Sequence, residues 1–181
     1  MSENNQGDTV NQQERPSEME LGWLAGIIDG EGSLILCCNT TGRSIYPELR
    51  ITSTTKIIIE KCEDIIKKFG IKYRVGYYKP PQKSERIPSH YISILTAKRM
   101  KIVSETMLPY LVGKIPQATI ILEFCNSRVS LPYGYPYTER ELQLYYEIKK
   151  YQIKKGKPSK NGIPNDYTPG WRPRYRNLQK I

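Results

Sequence analysis

The sequence predicts an α+β fold: an antiparallel sheet with helices packed on one face, in the order helix, two strands, helix, two strands, helix. Three observations predict it. Apolar residues recur at helical spacing in 21–29, 55–69 and 97–107. They alternate at strand spacing in 45–53, and turn residues such as Thr40-Thr41-Gly42 and Pro80-Pro81 separate the segments. With 181 residues the chain can bury one core of this kind and a small appendage.

Met1 to Glu20 is polar and acidic, with Glu3, Asp8, Glu14, Glu18 and Glu20 against Arg15 alone. It has no secretion or transit pattern and reads as a disordered leader. Leu21 to Asp29 reads as a helix with Leu21, Leu24 and Ile28 as its core stripe. Gly22, Ala25, Gly26 and Asp29 form a second, nearly smooth face, and small residues four apart let two helices approach closely. That spacing suits tight packing within one chain or a seam between two copies.

Ser33 to Asn39 is a strand, followed by a turn. Ile45 to Ser53 is a second strand, with Leu49 and Ile51 on one face and Glu48, Arg50 and Thr52 on the other. Thr54 or Thr55 caps a helix running to Phe69 and ending at Gly70, with Ile58, Cys62, Ile65, Ile66 and Phe69 inward. Ile71 to Lys79 is the third strand and Ser89 to Thr96 the fourth, joined by a proline-bracketed basic loop holding Lys83 and Arg86. Ala97 to Met107 is a helix with Ile102 and Val103 inward, stopped by Pro109. A short helix, Gln117 to Asn126, follows Pro116.

From Leu131 the texture changes. Pro132 to Tyr137 is a turn-rich linker, and Thr138-x-x-Glu141 is a capping box opening a helix to about Lys155. Lys157 onward is rich in Gly, Pro, Lys and Arg and reads either as a disordered basic tail or as an arm that folds against a polyanion. The expected division is an acidic leader at 1–20, a core at 21–130, and a basic helix and arm at 131–181.

Net charge is +10, unevenly spread. Ile148 to Ile181 holds ten Lys/Arg against one acid, Asp166, and Lys72 to Lys101 holds eight against Glu85. Tyrosines interleave with these blocks, among them Tyr73, Tyr77, Tyr78, Tyr91 and Tyr151. Basic blocks with interspersed aromatics point to nucleic acid. The first block lacks the period of a membrane-surface helix, and no apolar run is long enough to cross a bilayer. Cys37, Cys38, Cys62 and Cys125 show no paired metal spacing and read as reduced thiols. An open sheet face carrying Arg50 and, if alternation sets the register, Lys72, Arg74 and Tyr78 can lie in the major groove.

The most informative run is Leu24-Ala25-Gly26-Ile27-Ile28-Asp29-Gly30-Glu31-Gly32. It starts as a small-residue helix and ends on two acids where cations are normally preferred. Carboxylates so placed invite a cation. The run resembles the signature of the LAGLIDADG homing endonucleases, with Glu31 in place of the second Asp. The resemblance extends from about Leu21 to Phe124 and occurs once, without a second copy. It implies the αββαββα fold with a saddle-shaped DNA-gripping sheet, which the element order also favours.

The resemblance further implies a homodimer on a long pseudo-palindromic double-stranded DNA site, cutting both strands to leave short 3′ overhangs. The metal would be Mg2+, with Mn2+ able to substitute, at Glu31 and the adjacent Gly30. Two bridging ions suit phosphodiester hydrolysis, and a single motif per chain requires the second carboxylate to come from another copy. Asp29 reads as a brace at the helix end. Ser53 stands where the family often has a water-organising Gln, and Lys114 matches a basic residue acting at the phosphate; together with Glu31 these are the catalytic candidates. Gly22, Ala25, Gly26 and Asp29 are the dimer candidates. The DNA-contact candidates are Arg43, Arg50, Thr52, Lys72, Arg74, Tyr78, Lys79, Lys83, Arg86, His90 and Tyr91. His90, the single histidine, reads as a groove contact or a satisfied surface group, without a catalytic role. An intron maturase binding RNA without cleavage is the alternative, and a DNA-binding regulator that lost catalysis is a third reading. The protein is expected in an organelle, archaeal or bacterial cytoplasm, wherever the intron-bearing genome resides.

Overall fold

A computed structural model describes residues 15–39, 44–82, 84–132 and 134–151. Its elements are α1 (Glu18–Glu31), β1 (Gly32–Cys38), β2 (Ile45–Ser53), α2 (Lys56–Lys67), β3 (Arg74–Tyr78), β4 (Ser89–Leu95), α3 (Ala97–Met107), α4 (Ile115–Arg128) and α5 (Glu139–Lys149). The strands form one antiparallel sheet in the order β1-β2-β4-β3. The expected α+β class and element order are therefore observed.

Register explains which face is buried. Leu34 pairs with Leu49 and Leu49 with Ile94, while Ile51 pairs with Ile92. All five are buried, so one sheet face is continuously apolar and takes the helices. The core also holds Leu24 and Ile28 of α1, Ile59, Cys62, Ile65 and Ile66 of α2, Met100, Val103 and Met107 of α3, and Ile121 and Phe124 of α4. In α3 the expected inward pair is half right: Val103 is buried, whereas Ile102 is exposed because Met100 and Met107 set the buried stripe.

α1 starts three residues ahead of the expected Leu21. Ser17 is its N-cap and forms a full capping box with Glu20. Glu18 to Glu20 therefore belong to the helix and not to the acidic leader. At the other end, a Cβ on Gly32 would lie 2.6 Å from the Ile28 carbonyl oxygen. Only glycine lets β1 begin directly after Glu31.

α5 is part of the same core. Leu144 and Ile148 are buried in it, and Glu141 is 1% exposed. Glu141 accepts from the Ser127 hydroxyl at 2.7 Å and the Thr138 N–H at 2.7 Å, inside the expected capping box. The Tyr137 hydroxyl accepts from the Ile45 N–H and donates to the Ile45 carbonyl, a stretch of β2 beyond the reach of β4. The expected boundary at 131 thus cuts through one packed unit. α5 ends at Lys149, short of Lys155, and the basic arm beyond 151 lies outside the described residues, as does the turn at Thr40–Gly42.

Candidate functional site

The two motif acids end α1 and have different surroundings. The half-buried Asp29 carboxylate accepts backbone N–H groups of Val112 at 2.8 Å, Gly113 at 3.1 Å and Lys114 at 2.9 Å. Val112 and Gly113 lie in the turn that enters α4, and Lys114 is the N-cap of that helix. Asp29 therefore fixes the turn into α4 from the end of another helix. Burial works to raise the Asp29 carboxyl, but the three N–H groups and the nearby Lys114 charge outweigh it, and its pKa lies below the ordinary value. The Lys114 amine in turn donates to the Asp29 carbonyl, placing a cation at the negative end of α1. Asp29 is thus a brace, with both carboxylate oxygens engaged within its own chain.

Glu31, the last residue of α1, is exposed, and so is Gly30. Gly32 pairs with Ile51, so Glu31 and Ser53 lie at the same end of the β1–β2 ribbon. The Ser53 hydroxyl accepts from the Thr55 N–H at 3.1 Å, where it caps the turn into α2. Among the described residues no group of three or more His, Cys, Asp and Glu side chains could hold a metal. An exposed carboxylate such as Glu31 is a hard oxygen ligand, and Mg2+ held by one or two carboxylates takes the rest of its shell from water and substrate phosphates.

α1 presents Gly22, Gly26 and Gly30 outward, four residues apart, with nothing within 4 Å of where their Cβ atoms would be. Trp23 and Met19 flank them, exposed. Ala25 is a correction: at 1% exposure it packs into its own core, one helical step round from the glycines.

The second candidate region is the sheet face away from the helices. Arg50, Thr52, Arg74, Tyr78 and Tyr91 share it. Arg50, Thr52, Tyr78 and Tyr91, with Arg86 and Ile87 from the β3–β4 loop, line a concavity of ≈ 660 Å³. Lys72 and Lys79 are exposed but flank β3, which is shorter than expected. His90 is a second correction. It pairs with Ser53 and Tyr77, two residues from Ile92, and so shares the helix-side face, its ring 4.9 Å from that of Tyr77. Arg43 and Lys83 lie outside the described residues.

A residue missed in the sequence is Glu48, 7% exposed on the outer sheet face. Its carboxylate pairs with Arg50 Nε at 3.0 Å and accepts the Cys37 thiol at 3.5 Å. Burial first, then the Glu48 charge, push the Cys37 thiol up to about 11, so it stays protonated. The available signal was the i, i+2 spacing of Glu48 and Arg50 on one strand.

No protein-family model matches the chain. A stretch of 75 residues is 31% identical to an uncharacterized protein of Methanocaldococcus jannaschii, covering 41% of this chain and 26% of that protein. The chain thus matches about a quarter of that relative's length. Three solved structures are similar throughout the core. The archaeal intron-encoded homing endonuclease I-Vdi141I, complexed with DNA, superposes with a TM-score of 0.57 at 18% identity, over 77% of this chain and 87% of that one. The homing endonuclease I-CvuI, bound to its target in the presence of Ca, gives 0.54 at 18% identity, over 77% and 84%. The homing endonuclease I-TnaI gives 0.52 at 20% identity, over 79% and 92%. Among the described residues no helix is long and apolar enough to cross a membrane. With LAGIIDGEG spanning the α1–β1 junction and this sheet order, the chain has the fold of the LAGLIDADG homing endonucleases.

Proposed function

We propose that this protein is a site-specific DNA endonuclease that acts as a homodimer with a divalent metal. The observation that carries the reading is the corner where α1 ends: an exposed Glu31 carboxylate and, two residues before it on the same helix, the Asp29 carbonyl that takes the Lys114 amine. α1 faces of two copies would meet through Gly22, Gly26 and Gly30, where bare backbone allows close approach. A two-fold axis there brings both Glu31 side chains to the same region.

Each Glu31 would hold Mg2+, with the Gly30 carbonyl as a further oxygen donor. Bound there, the ion lowers the pKa of a water and offsets charge on the phosphate. Lys114 supplies fixed positive charge near the scissile phosphate, and its contact with the Asp29 carbonyl limits its freedom. Ser53 lies at the same end of the ribbon as Glu31 and can orient a water. The outer sheet face, with Arg50, Arg74 and Tyr91, grips the duplex in the major groove. The enzyme works in the compartment that holds its intron-bearing genome.

The test is incubation of a candidate uninterrupted insertion-site duplex with Mg2+ and protein whose oligomeric state is followed by sedimentation. Double-strand breaks with 3′ overhangs, made by a dimer, are expected. Intact DNA in the presence of a folded dimer overturns the reading. Preferential binding of intron RNA in a parallel titration selects the maturase alternative.

A further inference from the structure

We infer that Arg50 is a preset guanine reader and that Glu48 positions it; the inference rests on the DNA-binding reading above. The Arg50 guanidinium is held on two sides. Nε pairs with Glu48 at 3.0 Å, and Cζ lies 4.7 Å from the centroid of the Tyr91 ring. Tyr91 is itself seated: it pairs with Gly76, where a Cβ would come within 2.4 Å of its hydroxyl oxygen. Any side chain at position 76 would push the ring off the sheet. Glu48 is anchored through its other oxygen by the Cys37 thiol. The chain of contacts Cys37–Glu48–Arg50–Tyr91–Gly76 crosses all four strands of the sheet.

Two consequences follow for what Arg50 can bind. With Nε engaged, the two terminal nitrogens are the donors left for a ligand, and no described residue takes them. Two parallel N–H donors in a plane match the O6 and N7 acceptors of guanine in the major groove. Charge gives the second. Glu48 neutralises Arg50, so the pair adds no net charge against a phosphate and releases no counterion on binding. A planar base edge is therefore a better partner than the backbone. Arg74 is the internal contrast. It stands in the same cross-strand row, with Ser93 between it and Arg50, yet no described residue pairs with its guanidinium. Among the described residues Arg74 thus carries a full charge with no ion-pair partner, suited to phosphate.

The experiment selects bound sites from a random-sequence duplex library in Ca2+, then measures affinity against salt for the chosen duplex. The wild type should enrich guanine at one position in each half-site. Arg50→Ala should lose that preference by about 5- to 150-fold at that position and leave the preferences at other positions intact; since it also bares the Glu48 charge, the double variant Glu48→Gln/Arg50→Ala is the one that should keep the slope of log K against log salt. Arg50→Lys keeps the charge and can still donate to O6 or N7 but lacks the planar fork, so it should retain part of the guanine preference, which separates the effect from misfolding. Glu48→Gln should weaken the guanine preference and steepen the salt slope by up to about 0.9 as Arg50 is freed toward a phosphate. Arg74→Ala should weaken all sequences alike and lower the slope by about 0.9. An Arg50→Ala variant with every base preference intact overturns the inference, whether its slope falls or not. A wild-type protein that retains no duplex removes the DNA reading itself, and the inference with it.

Discussion

Asp29 and Glu31 are two residues apart on one helix, and both are carboxylates beside glycine, yet the fold treats them in opposite ways. Asp29 is fully engaged: three backbone donors converge on it from a loop more than eighty residues away, and its own carbonyl receives Lys114. Glu31 is exposed and makes no hydrogen bond or ion pair with a described residue. A carboxylate with its lone pairs filled by N–H groups stabilises a structure, while one left open can bind a cation. On the proposed function the motif separates assembly from chemistry over half a helical turn. Changes at position 31 should alter activity and spare the fold. Changes at position 29 should disturb the fold and reach activity only through Lys114.

The largest effect tests the chemical half. Glu31→Gln keeps size and polarity but removes the charge that would hold the metal. Lewis-acid stabilisation is worth several kcal/mol and each 1.4 kcal/mol is tenfold, so cleavage should fall by roughly a thousandfold. Duplex affinity and thermal midpoint should stay as in the wild type. Joint loss of binding and stability would place Glu31 with Asp29 as a structural acid and dissolve the contrast.

Next comes the seam beside the two acids. Gly26 has open space where its Cβ would be, so Gly26→Leu should fit the free chain and raise its stability by about 0.5–1 kcal/mol through better helix propensity. In a dimer the same side chain meets the partner helix, and overpacking of about 1–3 kcal/mol should weaken association 5- to 150-fold. Sedimentation equilibrium and thermal unfolding should move in opposite directions. If both rise, the glycine face is an ordinary surface and the paired Glu31 geometry fails.

The two halves also differed in how legible they were in the sequence. The place of Glu31 at a helix end is readable because its signal is local: two flanking glycines and a motif nine residues long. The bounds of β2 and α3 were readable for the same reason, their periods and flanking breakers being contiguous. Asp29 could be read as a brace, but not what it braces, since its partners lie at 112–114 and only the folded chain joins them. Ala25 was misassigned because small size alone does not show whether a residue meets its own core or a partner; its place between Leu24 and Ile28 on the buried side decides it. His90 was misassigned because its basic neighbourhood outweighed its parity with Ile92 and Ile94. The start of α1 had a local signal, Ser17-x-x-Glu20, that an acidic composition masked. The arm beyond 151 stays a reading of composition alone.

The smallest effects test the structural half. Asp29→Ala removes the acceptor of three N–H groups in the turn that enters α4, a loss comparable to that of a helix cap, about 0.5–2 kcal/mol. The Val112 and Gly113 N–H groups are exposed enough for water to replace the carboxylate, which keeps the cost within that range. Asp29→Asn should fall between the wild type and Ala, since its amide oxygen still accepts. The sign of the pH dependence follows from the lowered pKa. Asp29 is easier to ionise in the folded chain than in the unfolded one, so its contribution is complete above the unfolded value of about 3.9. It fades as pH falls below that toward the folded pKa. Urea midpoints measured from pH 5 down to pH 2 should therefore drop more steeply for the wild type than for Asp29→Asn, the two curves converging in acid. Glu20, held down to about 2 by its Ser17 backbone bond and by Lys68, titrates in the same window and is present in both proteins, so it cancels in the difference. Parallel curves would mean that the three N–H groups give the carboxylate no advantage over water. The division of labour between the two acids would then rest on Glu31 alone.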